Sequence, residues 1–245
     1  MRPLITAAGL LFAWEALARA TGVPVYILPP PSRVAVVLVQ RFDLLIEQAA
    51  WTAAEMILGL ALGLVLGALL AVVLAASAGW RRWALPLVIV SQAIPVIAIA
   101  PLLVLWLGYG MASKVAMAAL VIFFPVVSAL YDGLRRTDPG WLDLAQTMDA
   151  PPRATLLQIR LPAALPAFAS GARIAAAVAP IGAVIGEWVG ASAGLGFLMT
   201  QSLARGQTPL AFAALVLLCL LGLGLYHATD WATRRLVPWQ STQGV

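Results

Sequence analysis

Charge is what this sequence has least of. Only 10% of its 245 residues are Asp, Glu, Lys or Arg, against 62% hydrophobic, whereas a soluble domain carries about a quarter charged residues. So few charges cannot clothe a water-facing surface on a chain of this length. A soluble globular protein is excluded, and a polytopic membrane protein remains. Lysine is almost missing: Lys114 stands alone among fifteen basic residues. A phosphate-cradling loop of the form G-x-x-x-x-G-K-[ST] needs a lysine. Lys114 follows Met-Ala-Ser and precedes Val115, so the motif is absent. There is one cysteine, Cys219, which excludes a disulfide framework and a cysteine metal cluster. Its apolar neighbours in sequence predict a buried, inert thiol. The net charge of +5 is too thinly scattered for a nucleic-acid surface. A cleavable signal peptide is not expected either, because Glu15 and Arg19 stand where small residues should precede the cut.

What the chain has in abundance is long apolar runs. Crossing the hydrocarbon takes roughly 20 such residues, and the sequence offers six candidates: 4–20, 51–76, 84–109, 115–132, 167–189 and 209–229. The expectation is one all-α transmembrane domain over 1–245. The third run contains Pro86, Pro95 and Pro101, which predicts a kinked helix packed inside the bundle. Gly59, Gly63 and Gly67 recur at four-residue spacing in the second, which permits a close helix approach. Orientation follows from the basic residues. With the N-terminus cytoplasmic, the inside segments hold Arg2, Arg81, Arg82, Arg135, Arg136, Arg153, Arg160, Arg234 and Arg235. The outside segments hold Arg33, Arg41, Lys114 and Arg205. Nine against four favours both termini inside. Outside, VAVVLVQRFDLLIEQ suits an amphipathic surface helix, and residues 190–208 suit a loop with a half-buried helical turn.

This orientation puts TDPGWLDLAQTMDAPPRATLLQIRLPAALP in the cytoplasm, inside a connection spanning about 133–166. Asp138 before Pro139 and Gly140 is a candidate N-cap, and Trp141–Met148 reads as a short helix. Asp149 reads as the cap of a second helix, with Pro151 and Pro152 in its first turn. Leu161-Pro162 is expected to stop that helix and Leu165-Pro166 to open the fifth span. Two short helices joined at a corner, with apolar and arginine side chains outward, suit insertion into another protein's groove. The competing reading is a helix pair resting on lipid headgroups.

The same stretch resembles a loop of ATP-binding-cassette importer membrane subunits, patterned Glu-Ala-Ala, three residues, Gly, nine residues, Ile, one residue, Leu-Pro. Here it reads Asp143-Leu144-Ala145, three residues, Asp149, nine residues, Ile159, Arg160, Leu161-Pro162. The spacing agrees throughout. Asp149 replaces the glycine, and aspartate is among the few residues that tolerate a left-handed corner. YILPPPSRV, QAIPVIAIAPLLVLWLGYG and GEWVGASAGLGFLM are similar to permeases for alkanesulfonate, taurine, nitrate and pyrimidine precursors.

The resemblance implies a MetI-like importer permease fold in a bacterial inner membrane. It implies that Asp143, Ala145, Asp149, Arg153, Leu156, Leu157, Ile159, Leu161 and Pro162 form a coupling loop for a separate ATPase. Two ATPase copies, a second permease copy and an external substrate-binding protein are the implied partners. ATP and magnesium would be used by the ATPase, with no cofactor on this chain. The GEWVGASAGLGFLM and YDGLRRTDPGWLDLAQTM segments look most like permeases for hydroxymethylpyrimidine-type thiamine precursors.

Two carboxylates, Glu55 and Glu187, fall inside spans, where ionised groups are costly and often functional. Glu187 is a candidate for the translocation path or, as structure, an acceptor for neighbouring backbone. Trp188 is a candidate stacking surface, and Ser91 and Gln92 are candidates in the kinked span. A proton-driven carrier using Glu187 is the rival transport reading. The GASAG of residues 190–194 matches G-x-S-x-G, and His227 is the one histidine. A nucleophile elbow, however, needs a strand before its serine, and a membrane helix precedes Ser192 instead.

Overall fold

The computed structural model describes residues 2–239, with side chains from residue 5 onward. The Arg2 side chain, counted above among the cytoplasmic charges, and residues 240–245 of the expected domain lie outside what is described. Helices account for all regular structure among the described residues; a single helix covers each of five apolar stretches, and two helices share the third.

Helix α1 (Arg2–Ala20) is followed by α2 (Pro31–Gln40) and the 35-residue α3 (Phe42–Ala76). The expected amphipathic surface helix is therefore divided. The chain breaks at Arg41, and residues from Phe42 onward lengthen the membrane helix by more than two turns. Helices α4 (Ala78–Ser91) and α5 (Val96–Leu107) occupy the proline-rich run. Then come α6 (Met111–Arg135), α7 (Pro139–Thr147), a single turn α8 (Pro152–Ala154), a π-helical turn over Thr155–Arg160, and α9 (Leu161–Gly190). Helices α10 (Leu195–Ala204) and α11 (Thr208–Leu236) complete the chain.

Four units are long and apolar enough to cross a bilayer: α3, α6, the continuous stretch Pro152–Gly190, and α11. Helix α1 is not one of them. The α4–α5 pair would make a fifth span, and it bends by 102°. This is far more than the expected kink. Pro95 supplies the break: it lacks an N–H, disfavours helix at the residue before it, and itself starts α5 in extended backbone.

Small residues set the packing. Side chains added at Gly59, Gly63 and Gly67 of α3 would strike Ala118, Ile122 and Val126 of α6, the last at 2.8 Å from the Val126 Cβ. On the other flank of α6, Gly182 and Gly171 of α9 face Ala118 and Ala129. Helix α6 is thus clasped from both sides at near-backbone distance, the arrangement that dispersion-driven packing in lipid favours. Numbers rise together on α3 and α6, so these helices run parallel, while α9 runs antiparallel to α6. Parallel α3 and α6 require the bent pair between them to carry the chain across, so α4–α5 is a broken span. Arg173 of α9 meets Asp230 of α11 at 3.1 Å, which sets α11 antiparallel to α9.

Two sequence expectations fail here. Pro162 and Pro166 do not end one helix and begin another; helix runs unbroken from Pro152 to Gly190. The π turn at Thr155–Arg160 lies immediately before Pro162, where its wider winding relieves the clash of the proline ring with the preceding turn. Cys219 is exposed on α11 rather than buried. In lipid an apolar thiol needs no shelter.

Candidate functional site

The bundle has two ends of different chemistry. At one, α6 leads through α7 into the long helix Pro152–Gly190, forming an elbow. Asp138 caps α7, its Oδ1 accepting from Gly140 N at 2.7 Å. Asp149 then takes the turn with φ 50, the sole positive-φ non-glycine among the described residues. It does not cap the next helix, whose first flanking residue is Pro151 in extended backbone. A left-handed corner followed by two prolines fixes the direction of the emerging helix with little left to vary.

The outer surface of this elbow is apolar. Trp141, Leu144, Met148 and Leu157 are exposed. A groove of about 380 Å³ runs between α7 and the long helix, walled by Trp141, Leu144, Met148, Ile159, Pro162 and Trp239. Ala145 is buried beneath it at 4% exposure. Asp143 and Arg153 point to solvent. Leu156 and Leu161 turn the other way and pack on the bundle beside Leu130, Leu134 and Ala164. Arg160, to which no role was given above, donates from Nε and Nη2 to the Leu134 carbonyl at 3.1 and 2.9 Å. It thereby ties the elbow to the end of α6.

The opposite end is buried and polar. Glu187, 1% exposed, accepts from Thr52 Oγ1 at 2.6 Å through Oε1. Its Oε2 accepts from Gly196 N, and from Phe197 N at 3.2 Å. Thr52 Oγ1 also accepts from Leu195 N at 2.8 Å, and Gln48 Oε1 accepts from Gly194 N at 2.7 Å. Four consecutive N–H groups at the start of α10, which a helix leaves without internal partners, are all met by side chains from α3 and α9. A carboxylate at a helix N-terminus is also favoured by the helix dipole. Gly194 sits at φ 113, and a side chain there would collide with the Glu187 carboxyl. Glu187 therefore fastens α10 between α3 and α9.

Glu55, 3% exposed, lies beside Glu187, and its Oε2 has no hydrogen-bond partner. Lys114, which the topology count takes as an external charge, is buried at this end of the bundle. It is 3% exposed and donates to the carbonyls of Tyr109, of Gly110 at 3.1 Å and of Gly190 at 2.7 Å. The Gly190 carbonyl closes α9, where a cation is favoured. Gln48, Thr52 and Glu55 fall on one helical face at i, i+4 and i+7, a spacing that would have flagged all three.

The other path candidates do not join this cluster. Trp188 faces outward at 50% exposure. Ser91 donates to the Val88 carbonyl at 2.7 Å beside the α4–α5 bend, and Gln92 is exposed there. Ser192 follows a helix, and His227 packs edge-on to Tyr226 on α11. Nothing in that placement makes a nucleophile and its base.

Comparison with known proteins agrees with this architecture. The model of the binding-protein-dependent transport system inner membrane component family matches residues 63–242. A probable ABC transporter permease protein of Haemophilus influenzae is 51% identical, covering 97% of both chains. The formylaminopyrimidine transport permease protein ThiX of Halalkalibacterium halodurans is 37% identical over 96% of this chain and 94% of its own. The riboflavin transport system permease protein RibX of Chloroflexus aurantiacus is 40% identical over 95% and 88%. A chain of the MetNI methionine ABC transporter in an inward-facing conformation superposes with a TM-score of 0.70, covering 80% of this chain and 97% of that one at 22% identity. The chain is a multi-pass bacterial inner-membrane protein with a MetI-like fold, and it belongs to the binding-protein-dependent transport system inner membrane component family of ABC transporter permeases.

Proposed function

We propose that this permease couples to a separate ATPase through the 143–162 elbow and forms the path for an imported thiamine-precursor pyrimidine of the hydroxymethylpyrimidine type. The observation that carries the coupling is the rigid elbow itself: a left-handed Asp149 corner beneath exposed Trp141, Leu144, Met148 and Leu157. A protruding apolar ridge held by prolines is suited to a groove in a partner, and a hinge without play transmits displacement. ATP and magnesium then belong to the partner, expected in two copies, and a second permease copy completes the path.

The elbow end faces the cytoplasm in this reading. Removing buried Lys114 from the outside count leaves nine basic residues against three (four minus one). The external end would receive a substrate-binding protein. The pyrimidine substrate is supported by likeness to the formylaminopyrimidine permease over nearly the whole chain.

Coupling is tested by Arg153→Glu and Leu157→Asp in a co-expressed importer. Both variants insert normally and lose the ATPase on purification; a variant that keeps wild-type amounts of ATPase and wild-type uptake defeats the docking claim. Substrate is tested by uptake of labelled hydroxymethylpyrimidine, taurine and nitrate in deleted and restored cells. Loss and rescue confined to the pyrimidine is expected. A response to taurine or nitrate moves the chain to the sulfonate and nitrate branch of the same class. Uptake that persists without the ATPase and follows a proton gradient selects the proton-coupled carrier.

A further inference from the structure

The end of the bundle opposite the elbow holds a cavity of about 250 Å³, between the start of α3, the α5–α6 turn and the α9–α10 loop. Trp51 and Tyr109 give it aromatic walls, 47% and 75% exposed. Glu55, Lys114 and Ser192 give it polar ones.

The polar groups are not equivalent. An ammonium has three N–H groups, and Lys114 commits its own to three backbone carbonyls. The cavity therefore has a cation but no free cationic donor. Its accepting side is unfilled, because Glu55, 3% exposed, lines the cavity with a buried Oε2 that has no hydrogen-bond partner. An anion such as a sulfonate or nitrate would lie against the Glu55 carboxyl, with the Lys114 N–H groups already committed to backbone carbonyls, which is costly in a desolvated site. A flat ring with N–H groups on its edge would find aromatic faces to stack on and an acceptor at the bottom. The volume is below the roughly 300–1,000 Å³ of drug-sized sites. It suits one ring rather than a fused three-ring system.

We propose that this cavity is a reception site for a single-ring, non-anionic amino-heterocycle, stacked on Trp51 and Tyr109 with its N–H edge on Glu55. The proposal rests on the importer reading for its place in transport and on the pyrimidine reading for its probe.

The test uses the complete importer with Cys219→Ser, which removes the native thiol, and Ser192→Cys at the exposed rim of the cavity. The rate of labelling by N-ethylmaleimide is measured alone and with an aminopyrimidine, taurine or nitrate. The aminopyrimidine slows labelling about five-fold at about four times its Kd, as mass action requires. Taurine and nitrate leave the rate unchanged. Trp51→Ala, in importer that still copurifies its ATPase, labels at the unprotected rate and loses the protection. No protection by the aminopyrimidine, or equal protection by taurine, overturns the proposal. Uptake in proteoliposomes separates the two claims. Pyrimidine uptake without protection defeats the cavity and leaves the substrate reading standing; protection without uptake supports the cavity and defeats the substrate reading.

Discussion

The two ends of this bundle solve opposite problems with opposite materials. The elbow end is shaped by backbone: one left-handed residue, a run of prolines and a π turn aim two helices, and the apolar side chains above them are left in the open. The far end is shaped by side chains. Gln48, Thr52 and Glu187 reach from two long helices to hold the first turn of a third, and among the described residues the buried side-chain atoms left without a hydrogen bond are Glu55 Oε2 and Trp14 Nε1. Backbone devices fix a direction while leaving a surface free for a partner. Side-chain caps fix a packing from within and leave little for a partner to take. In the proposed coupling, the first suits the surface on which an ATPase would dock, and the second a helix packing that stays fixed.

The sharpest way to break the comparison is to remove the far end's anchor. Glu187→Ala leaves two α10 N–H groups and the Thr52 hydroxyl without their acceptor, a loss of about 3 kcal/mol or more for a charged, buried acceptor. Thermal unfolding of the purified importer should show the largest drop in the set. An equally stable variant would mean that water or another side chain caps α10. Next is the helix seam that joins the ends. Gly63→Leu pushes α3 off Ile122 and should cost about 1–3 kcal/mol by overpacking, read as reduced yield of assembled complex.

At the elbow the effects are smaller on stability and larger on assembly. Leu157→Asp should change the unfolding free energy by no more than about 0.5 kcal/mol, as exposed substitutions do, while ATPase copurification collapses. The same fall in stability as at Glu187 would show that Leu157 belongs to the bundle after all. The smallest effect is at the corner. Asp149→Gly is expected to be neutral, because glycine enters the left-handed region freely. Asp149→Ala should cost about 1 kcal/mol. A marked loss of assembly in Asp149→Gly would assign the carboxylate a role that the backbone geometry does not.

Much of the elbow was legible in the sequence because local chemistry governs it. The Asp138 cap, the short helix beyond Pro139 and the turn at Asp149 are each set by residues within a few positions. What misled were Pro162 and Pro166. A proline reads as a helix end when only its neighbours are considered, and a preceding π turn absorbs it at the cost of a single widened winding. The far end was less legible. Glu55 and Glu187 stood out as lone carboxylates in apolar runs, but their meeting joins residues 132 positions apart (187 minus 55). The burial of Lys114 was hidden for the same reason: its carbonyl partner on Gly190 lies 76 residues away.

The sequence by itself determined the solvent this protein lives in, the apolar stretches that become helices, the small-residue face of α3 and the corner at Asp149. Hydrophobic run length, steric size and backbone preference are properties of a residue and its near neighbours, and a chain carries them wherever it goes. Only the tertiary structure decided that α6 is clasped between α3 and α9, that α4 and α5 meet at a bend of 102°, and that Glu187 serves as a cap for α10. Those outcomes depend on which distant carbonyls, amides and carboxyls arrive together, and in a bilayer a buried polar group must find its partner inside the protein.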